Sequence, residues 1–342
     1  MSGLFARASA VIALAKFLMA SLAVVSLTMT SVQAKCGGSD ILPRLTKSHP
    51  EVMNQVRVRA AEIRNTEAIF WRIEKPNVIS SYLLGTMHVS DARITAMPQP
   101  VQKALGLAKT VVLEIENMSP TAMMKAAATA PQLMIYVDGS RLDQRLTKAE
   151  FEQISALLGK TGLPRHMNKV LRPWMISIML AVPDCERQRA ASGQLALDQR
   201  IGNKARKQGT PVVGLETVED QLKSMAGVPE KDQLAMLRVS LAFIKQRQDL
   251  FETLIQAYTK RDLGVILALS DGMAKIAGMK NSGFASFSRE LITKRNRKMF
   301  KGSLPIVDKG GAFVAVGAAH LIGETGLVAL YRKAGFTVSA VN

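Results

Sequence analysis

The feature that most constrains this chain is a run of strand-forming residues, Val78-Ile-Ser-Ser-Tyr-Leu-Leu-Gly-Thr-Met-His88, which ends in Gly85-Thr-Met-His88. A second run, Ala312-Phe-Val-Ala-Val-Gly-Ala-Ala-His320, ends the same way in Gly317-Ala-Ala-His320. Apolar runs of this kind, broken by glycine, read as strands. Glycine lets the backbone leave a strand at an angle that a Cβ would resist, so an imidazole three residues on can turn across the strand ends. Each histidine is therefore expected at the rim of a sheet. The chain has four histidines, and two of them share this setting.

The rest of the chain alternates strand and helix patterns around these two runs. Glu51 to Asn65 has helical spacing, after a polar stretch at 37–45 that reads as loose. Ala68 to Glu74 and Val78 to Leu84 predict a hairpin, split by the turn residues Lys75-Pro76-Asn77. A helix from Pro98 to Lys109 leads into Thr110-Val-Val-Leu-Glu-Ile-Glu116, a strand in which Glu114 and Glu116 share a face by the two-residue period. Residues 120–190 are rich in Met and Ala and helical by pattern, with a capping box at Thr147 to Glu150. Leu195 to Gln208 reads as a helix carrying Asp198. Thr210 to Glu216 is a short strand whose final carboxylate meets a second capping pattern, Thr217 to Asp220. Pro229 to Arg261 predicts one long helix or a broken pair, and Ala285 to Phe300 another helix. The last unit is strand Ala312 to Val316, helix Glu324 to Ala334 and strand Phe336 to Val341. Strands separated by helices indicate an α/β fold, a mixed β-sheet flanked by helices. The two βGxxH units suggest a diverged internal duplication.

The N-terminus has the pattern of a secretory signal: Arg7 and Lys16, a mostly apolar stretch from Phe17 to Val32, and Val32-Gln33-Ala34 as the cleavage site. The expected organisation is a leader at 1–34 and a single domain at 35–342, with a helical cover at about 120–190. An uncleaved membrane anchor is the alternative, although the charge-free run is shorter than the ~20 residues of a span. Lys35 before Cys36 argues against lipid attachment. A periplasmic or secreted location follows, and in such a compartment Cys36 and Cys185 could pair. The formal net charge is +18, which favours anionic envelope components as partners. Basic residues are scattered and aromatics few, so nucleic acid is not expected.

Imidazoles and a carboxylate converging from rigid strands are the ligands a divalent transition ion needs, with one position left for water if the ion is hydrolytic. His88, His320 and Glu114 form that set. A further carboxylate, Glu216 or Glu116, could take the water's proton. Blander roles compete for the same residues. A strand-end histidine can simply bond the backbone, and a buried Glu114 would need a cation, for which Arg295 is a candidate. Glu216 could merely favour a helix N-terminus. His49 and His166 lie among polar residues and read as surface.

In order along the chain, Trp71, Gly85-Thr-Met-His88, Val112-Leu-Glu114, Pro173-Trp174, the Asp198 helix, Gly214-Leu-Glu216-Thr217 with Gln221, Arg295-Asn296 and Gly317-Ala-Ala-His320-Leu321 resemble the TraB/GumN group, which is similar to the Tiki metalloproteases. The resemblance runs from about Phe70 to Val341. It implies an EreA/ChaN/Tiki-like fold and a metal-dependent peptidase centre at His88, His320 and Glu114. Glu216, Arg295 and Asn296 match further positions of the group. Ala319 stands where many relatives have glycine. The function expected is a secreted or periplasmic metal-dependent hydrolase, a peptidase acting on peptide or protein with Mn, Co or Zn. Relatives with haem-binding or metal-free esterase chemistry keep a second class open: a non-catalytic envelope protein that binds peptide, haem or acidic polysaccharide through the same cleft.

Overall fold

The computed structural model describes residues 36–116, 120–159 and 163–341; the expected leader lies outside the described residues. Six strands form one mixed sheet: β1 Phe70–Glu74, β2 Ser81–Thr86, β3 Thr110–Ile115, β4 Val212–Glu216, β5 Ala312–Gly317 and β6 Thr337–Ala340. Their spatial order is β4-β3-β5-β2-β1-β6. The hairpin pairs β1 antiparallel with β2, and β1 also runs antiparallel to β6. The neighbouring pairs β2–β5, β5–β3 and β3–β4 are parallel.

That order decides where the chemistry falls. Gly85 pairs with Val316 and Thr86 with Gly317, so the two runs ending in Gly-x-x-His lie side by side and stop together. Leu113 pairs with Ala315 and Ile115 with Glu216, which brings the ends of β3 and β4 to the same edge. Parallel strands are covered on both faces and so read as continuous apolar runs rather than alternating ones. Phe313, Val314, Val111 and Val112 are accordingly fully buried in one large core with Trp71, Leu83 and Tyr331. Gly85 is required at its place: a Cβ there would come 2.9 Å from the Cα of Ala318, in the turn that carries the second histidine.

Between β3 and β4 the described chain forms helices, among them Pro120–Thr129, Lys148–Gly159, Pro173–Ala181, Asp184–Ala191 and Leu197–Lys207. Lys148–Gly159 and Pro173–Ala181 form a second apolar cluster around Leu142, Ile154 and Ile176, joined by Leu237 of a helix beyond β4, Glu230–Ala242. Met123 and Met124, in the methionine-rich stretch, are exposed. Cys36 and Cys185 are joined in a disulfide that spans 149 residues of sequence. Among the described residues, no helix is long and apolar enough to cross a membrane.

Several element boundaries differ from the sequence reading, each for a local reason. The stretch at 37–45 is not loose, because Ile41 and Leu45 are buried and a helix, Leu42–Ser48, forms to bury them. The long pattern at 229–261 breaks into Glu230–Ala242 and Arg247–Thr259. A further helix, Leu263–Ile276, packs its apolar face on Val56 and Ala60 of helix Pro50–Glu62. The helix expected to stop at Phe300 continues, as Lys294–Asp308, through Pro305. The strand placed at Val78 begins only at Ser81 and runs on to Thr86.

Candidate metal centre

At the common edge of the parallel strands, three side chains face one another. The carboxylate of Glu114, 6 % exposed, projects from β3. Its Oε1 lies 3.9 Å from His88 Nε2 and 3.7 Å from His320 Nε2. The same oxygen accepts a hydrogen bond from the Gly317 amide at 2.5 Å, so the β5 backbone holds it in place. Oε2 accepts from Arg295 Nη2 at 2.7 Å and from Gln221 Nε2 at 3.1 Å. The first Gly-x-x-His turn is fixed from below, where Tyr258 donates its hydroxyl to the Gly85 carbonyl.

Both imidazoles are oriented from behind. His88 Nδ1 lies 3.3 Å from Asp198 Oδ1, on the helix Leu197–Lys207. His320 Nδ1 lies 2.7 Å from Asn296 Oδ1. Asn296 donates through Nδ2 to the Thr325 carbonyl, so its oxygen is the atom turned toward the ring and His320 must carry its proton on Nδ1. The Nε2 lone pair then accepts from Arg295 Nη1 at 3.2 Å, with Glu114 Oε1 3.7 Å away. Partners that fix the far nitrogen in this way are the usual outer support of metal-bound histidines.

Arg295, 8 % exposed, closes the inner side. Besides Glu114 it binds Glu216 Oε2 through Nε at 2.9 Å, and its Nη1 is 3.2 Å from His320 Nε2. The cation foreseen as a partner for a buried Glu114 is therefore present, and it serves Glu216 as well. The Glu216 side chain is 1 % exposed. Glu116 takes no part in this cluster: β3 ends at Ile115, and Glu116 stands exposed beside an open cavity of about 650 Å³ with Lys125, Glu219 and Lys298. The alternation that put it on Glu114's face holds only while the strand lasts. Asp198, Asn296 and Gln221 carry contacts that spacing could not reveal, because each depends on how a helix seats on the rim.

The charges follow from these neighbours. Burial disfavours a Glu114 carboxylate, but His88, Arg295 and the Gly317 amide outweigh it and hold its pKa down to about 2. Burial likewise keeps His320 neutral, its pKa lowered to about 4 against the pull of Glu114. For His88 removal from water also opposes the charge, but Asp198 and Glu114 prevail and the pKa rises. Half of that ring meets solvent, with the side chain 53 % exposed, so its desolvation cost is small and the upward direction stands. Burial raises the carboxyl of Glu216, with Arg295 pulling the other way.

Among the described residues, no three metal-ligating side chains close on one point. Donor type nevertheless suits a divalent ion that would displace the His88 proton and the Arg295 contact: two Nε2 atoms and one carboxylate oxygen border a single space. A Cβ on Gly317 would enter that space, 3.1 Å from Glu114 Oε1 and 3.7 Å from His88 Nε2. The Arg295 guanidinium on its flank opposes a second cation and limits how tightly one is held.

Fold and site together define a mixed α/β protein with a histidine–carboxylate centre at the ends of its parallel strands. The chain belongs to the TraB/PrgY/gumN family, whose model matches residues 69–340. It is 23 % identical over 321 residues to "Metalloprotease TIKI2" of Danio rerio, a match covering 80 % of this chain and 61 % of that protein. It is 20 % identical over 263 residues to "Uncharacterized protein YbaP" of Shigella flexneri, covering 76 % and 90 % of the two chains. The YbaP of Escherichia coli is 20 % identical over 254 residues, covering 73 % of this chain and 87 % of that one. No solved structure matches.

Proposed function

We propose that this chain is a metal-dependent hydrolase of the peptidase type, with His88, His320 and Glu114 holding a divalent ion such as Mn, Co or Zn. The observation that carries the reading is the pair of imidazoles whose Nε2 atoms lie within 3.9 Å of one oxygen of Glu114, while Asn296 bonds the opposite nitrogen of His320 and Asp198 stands 3.3 Å from that of His88. Similarity to a protein named as a metalloprotease supports the metal dependence. The parallel pairing of β2 with β5 supports reading the two Gly-x-x-His turns as equivalent units of a Tiki-like fold. The leader pattern and the disulfide support a secreted or periplasmic site of action.

The ion, when bound, supplies a Lewis acid and a water of lowered pKa. The chain's own residues do the rest. Glu114 brings a full negative charge to the centre, and neutral His320 offers its Nε2. His88, at the solvent side, is the histidine that incoming substrate meets first. Arg295 places a guanidinium where negative charge grows on a substrate oxygen. Glu216, its carboxyl raised by burial, is the group that holds a proton during turnover.

His88 also supports a second reading. Half exposed and with its pKa raised, it gives the cleft a cation that an anionic group can meet without any ion, as in a non-catalytic protein that binds acidic polysaccharide, peptide or haem.

Metal content and affinity of chain 35–342, measured beside the double variant His88→Ala/His320→Ala, separate the two. Stoichiometric ion in the parent and none in the variant, with peptide cleavage lost on chelation and restored by added metal, is the expected result. A well-folded parent that takes up no Mn, Co or Zn would leave the binding reading standing instead.

A further inference from the structure

His88 is the exposed member of the centre, and its position comes from the backbone beneath it. Its turn is tight, with the Val89 amide donating to the Met87 carbonyl at 2.8 Å. The next amide, that of Ser90, donates to Glu186 Oε1 at 2.5 Å across 96 residues of sequence. Glu186 sits on the helix Asp184–Ala191, directly after Cys185 of the disulfide.

From there the contacts form a closed circuit. Arg189, on the same helix, lies 3.4 Å from Glu186 Oε2 and 3.2 Å from Asp91 Oδ2. Asp91 also pairs with Arg93, and Arg93 reaches both oxygens of Glu252 at 2.7 Å. Glu252 belongs to the helix Arg247–Thr259, which on the turns around it anchors the segment after Cys36: the amides of Ser39 and Ile41 donate to Asp249 and Thr253. The Cys36–Cys185 bond closes the ring. Glu186, Arg189, Asp91 and Glu252 are each less than 10 % exposed. Four buried charges are costly unless geometry repays them, and the backbone they grip is the His88 turn.

We propose that Glu186 is a positioning residue for His88, strapped in place by the Cys36–Cys185 disulfide. This rests on the reading of His88 as a metal ligand. Glu186 acts as the acceptor that pins the Ser90 amide, and Arg189 with the disulfide keeps that acceptor from moving.

The test uses chain 35–342 as the parent and the variants Glu186→Ala and Glu186→Gln. Two readouts are taken: cobalt affinity from the visible absorption of the bound ion, and amide exchange at residues 87–91 in the metal-free protein. Glu186→Ala is expected to weaken cobalt by about tenfold or more, the scale of losing an outer support, and to speed exchange at Val89–Asp91 while distant helices keep their protection. Glu186→Gln, whose carbonyl still accepts from Ser90, is expected to stay within about threefold of the parent. Reducing the disulfide of the unmutated parent is expected to speed the same amides, which covers the case in which Glu186→Ala does not fold. Unchanged exchange at 87–91 in the reduced parent, or faster exchange in Glu186→Ala with cobalt affinity unaltered, would overturn the proposal. If the parent itself binds no cobalt, the metal reading falls, and the exchange measurements still decide whether the strap holds the turn.

Discussion

Gly317 shows how much one hydrogen atom can decide. Its φ of −52° is open to any residue, so alanine would not strain the backbone there. The added methyl would instead stand 3.1 Å from Glu114 Oε1, inside the space that the two Nε2 atoms address. Gly317→Ala is therefore expected to cost roughly 1–2 kcal/mol of stability, on the scale of overpacking by one methyl, yet to lower metal affinity by at least tenfold. Urea unfolding checks the first figure and cobalt titration the second; a variant that keeps its cobalt would show that the ion lies elsewhere. At this scale the position of His88, Glu114 and His320 at the sheet's rim was legible in the sequence, since glycine punctuation and strand period report directly on strand ends. It was misleading for Glu116, because the period carries no mark of where the strand stops. It was silent on what Asp198 and Gln221 touch, since their roles arise from helix seating.

Short elements here depend on single polar residues. The four-residue helix Ala92–Thr95, just beyond the His88 turn, is started by Asp91, which accepts from the Arg93 amide at 3.0 Å and pairs with the Arg93 and Arg189 guanidinia. Burial alone would raise the Asp91 carboxyl, but the bonds from Arg93, and then Arg189, carry it down to about 2. A carboxyl depressed in the folded state stabilises fully above its unfolded pKa, near 4, and that contribution is lost as pH falls through about 2. Asp91→Asn is accordingly expected to cost on the order of 1–2 kcal/mol at pH 7 and close to nothing at pH 2. Thermal unfolding of parent and variant across that window checks it; a penalty independent of pH would assign the effect to packing. The elements themselves were legible wherever apolar period and turn chemistry agreed, as in the hairpin β1–β2 and the parallel runs. Boundaries shifted where tertiary burial overrode local composition, as at Leu42–Ser48, whose polar surroundings hide two apolar contacts.

At the scale of the whole molecule, two properties read from composition act beyond the site. The strand order that places β2 against β5 could not be deduced from the runs themselves, because similar apolar strands can pair in several orders; only the shared Gly-x-x-His ending hinted that they stop at one edge. Net charge, by contrast, survives any fold. A formal +18 on 342 residues exceeds what the carboxylates can neutralise in pairs. Long-range attraction to a polyanion is then expected whether or not the centre binds an ion, and it should weaken as salt shortens the Debye length from about 10 Å at 0.1 M to about 3 Å at 1 M. The chain is expected to be retained on a sulfated polysaccharide column at low salt and released well before 1 M. If the polyanion is held by this diffuse field, His88→Ala and Gly317→Ala should elute almost with the parent. If instead the centre forms its binding cleft, His88→Ala should elute markedly earlier than the loss of one charge beside 45 basic residues would explain. That comparison assigns anionic partners either to the surface as a whole or to the same cleft that the hydrolase reading reserves for substrate.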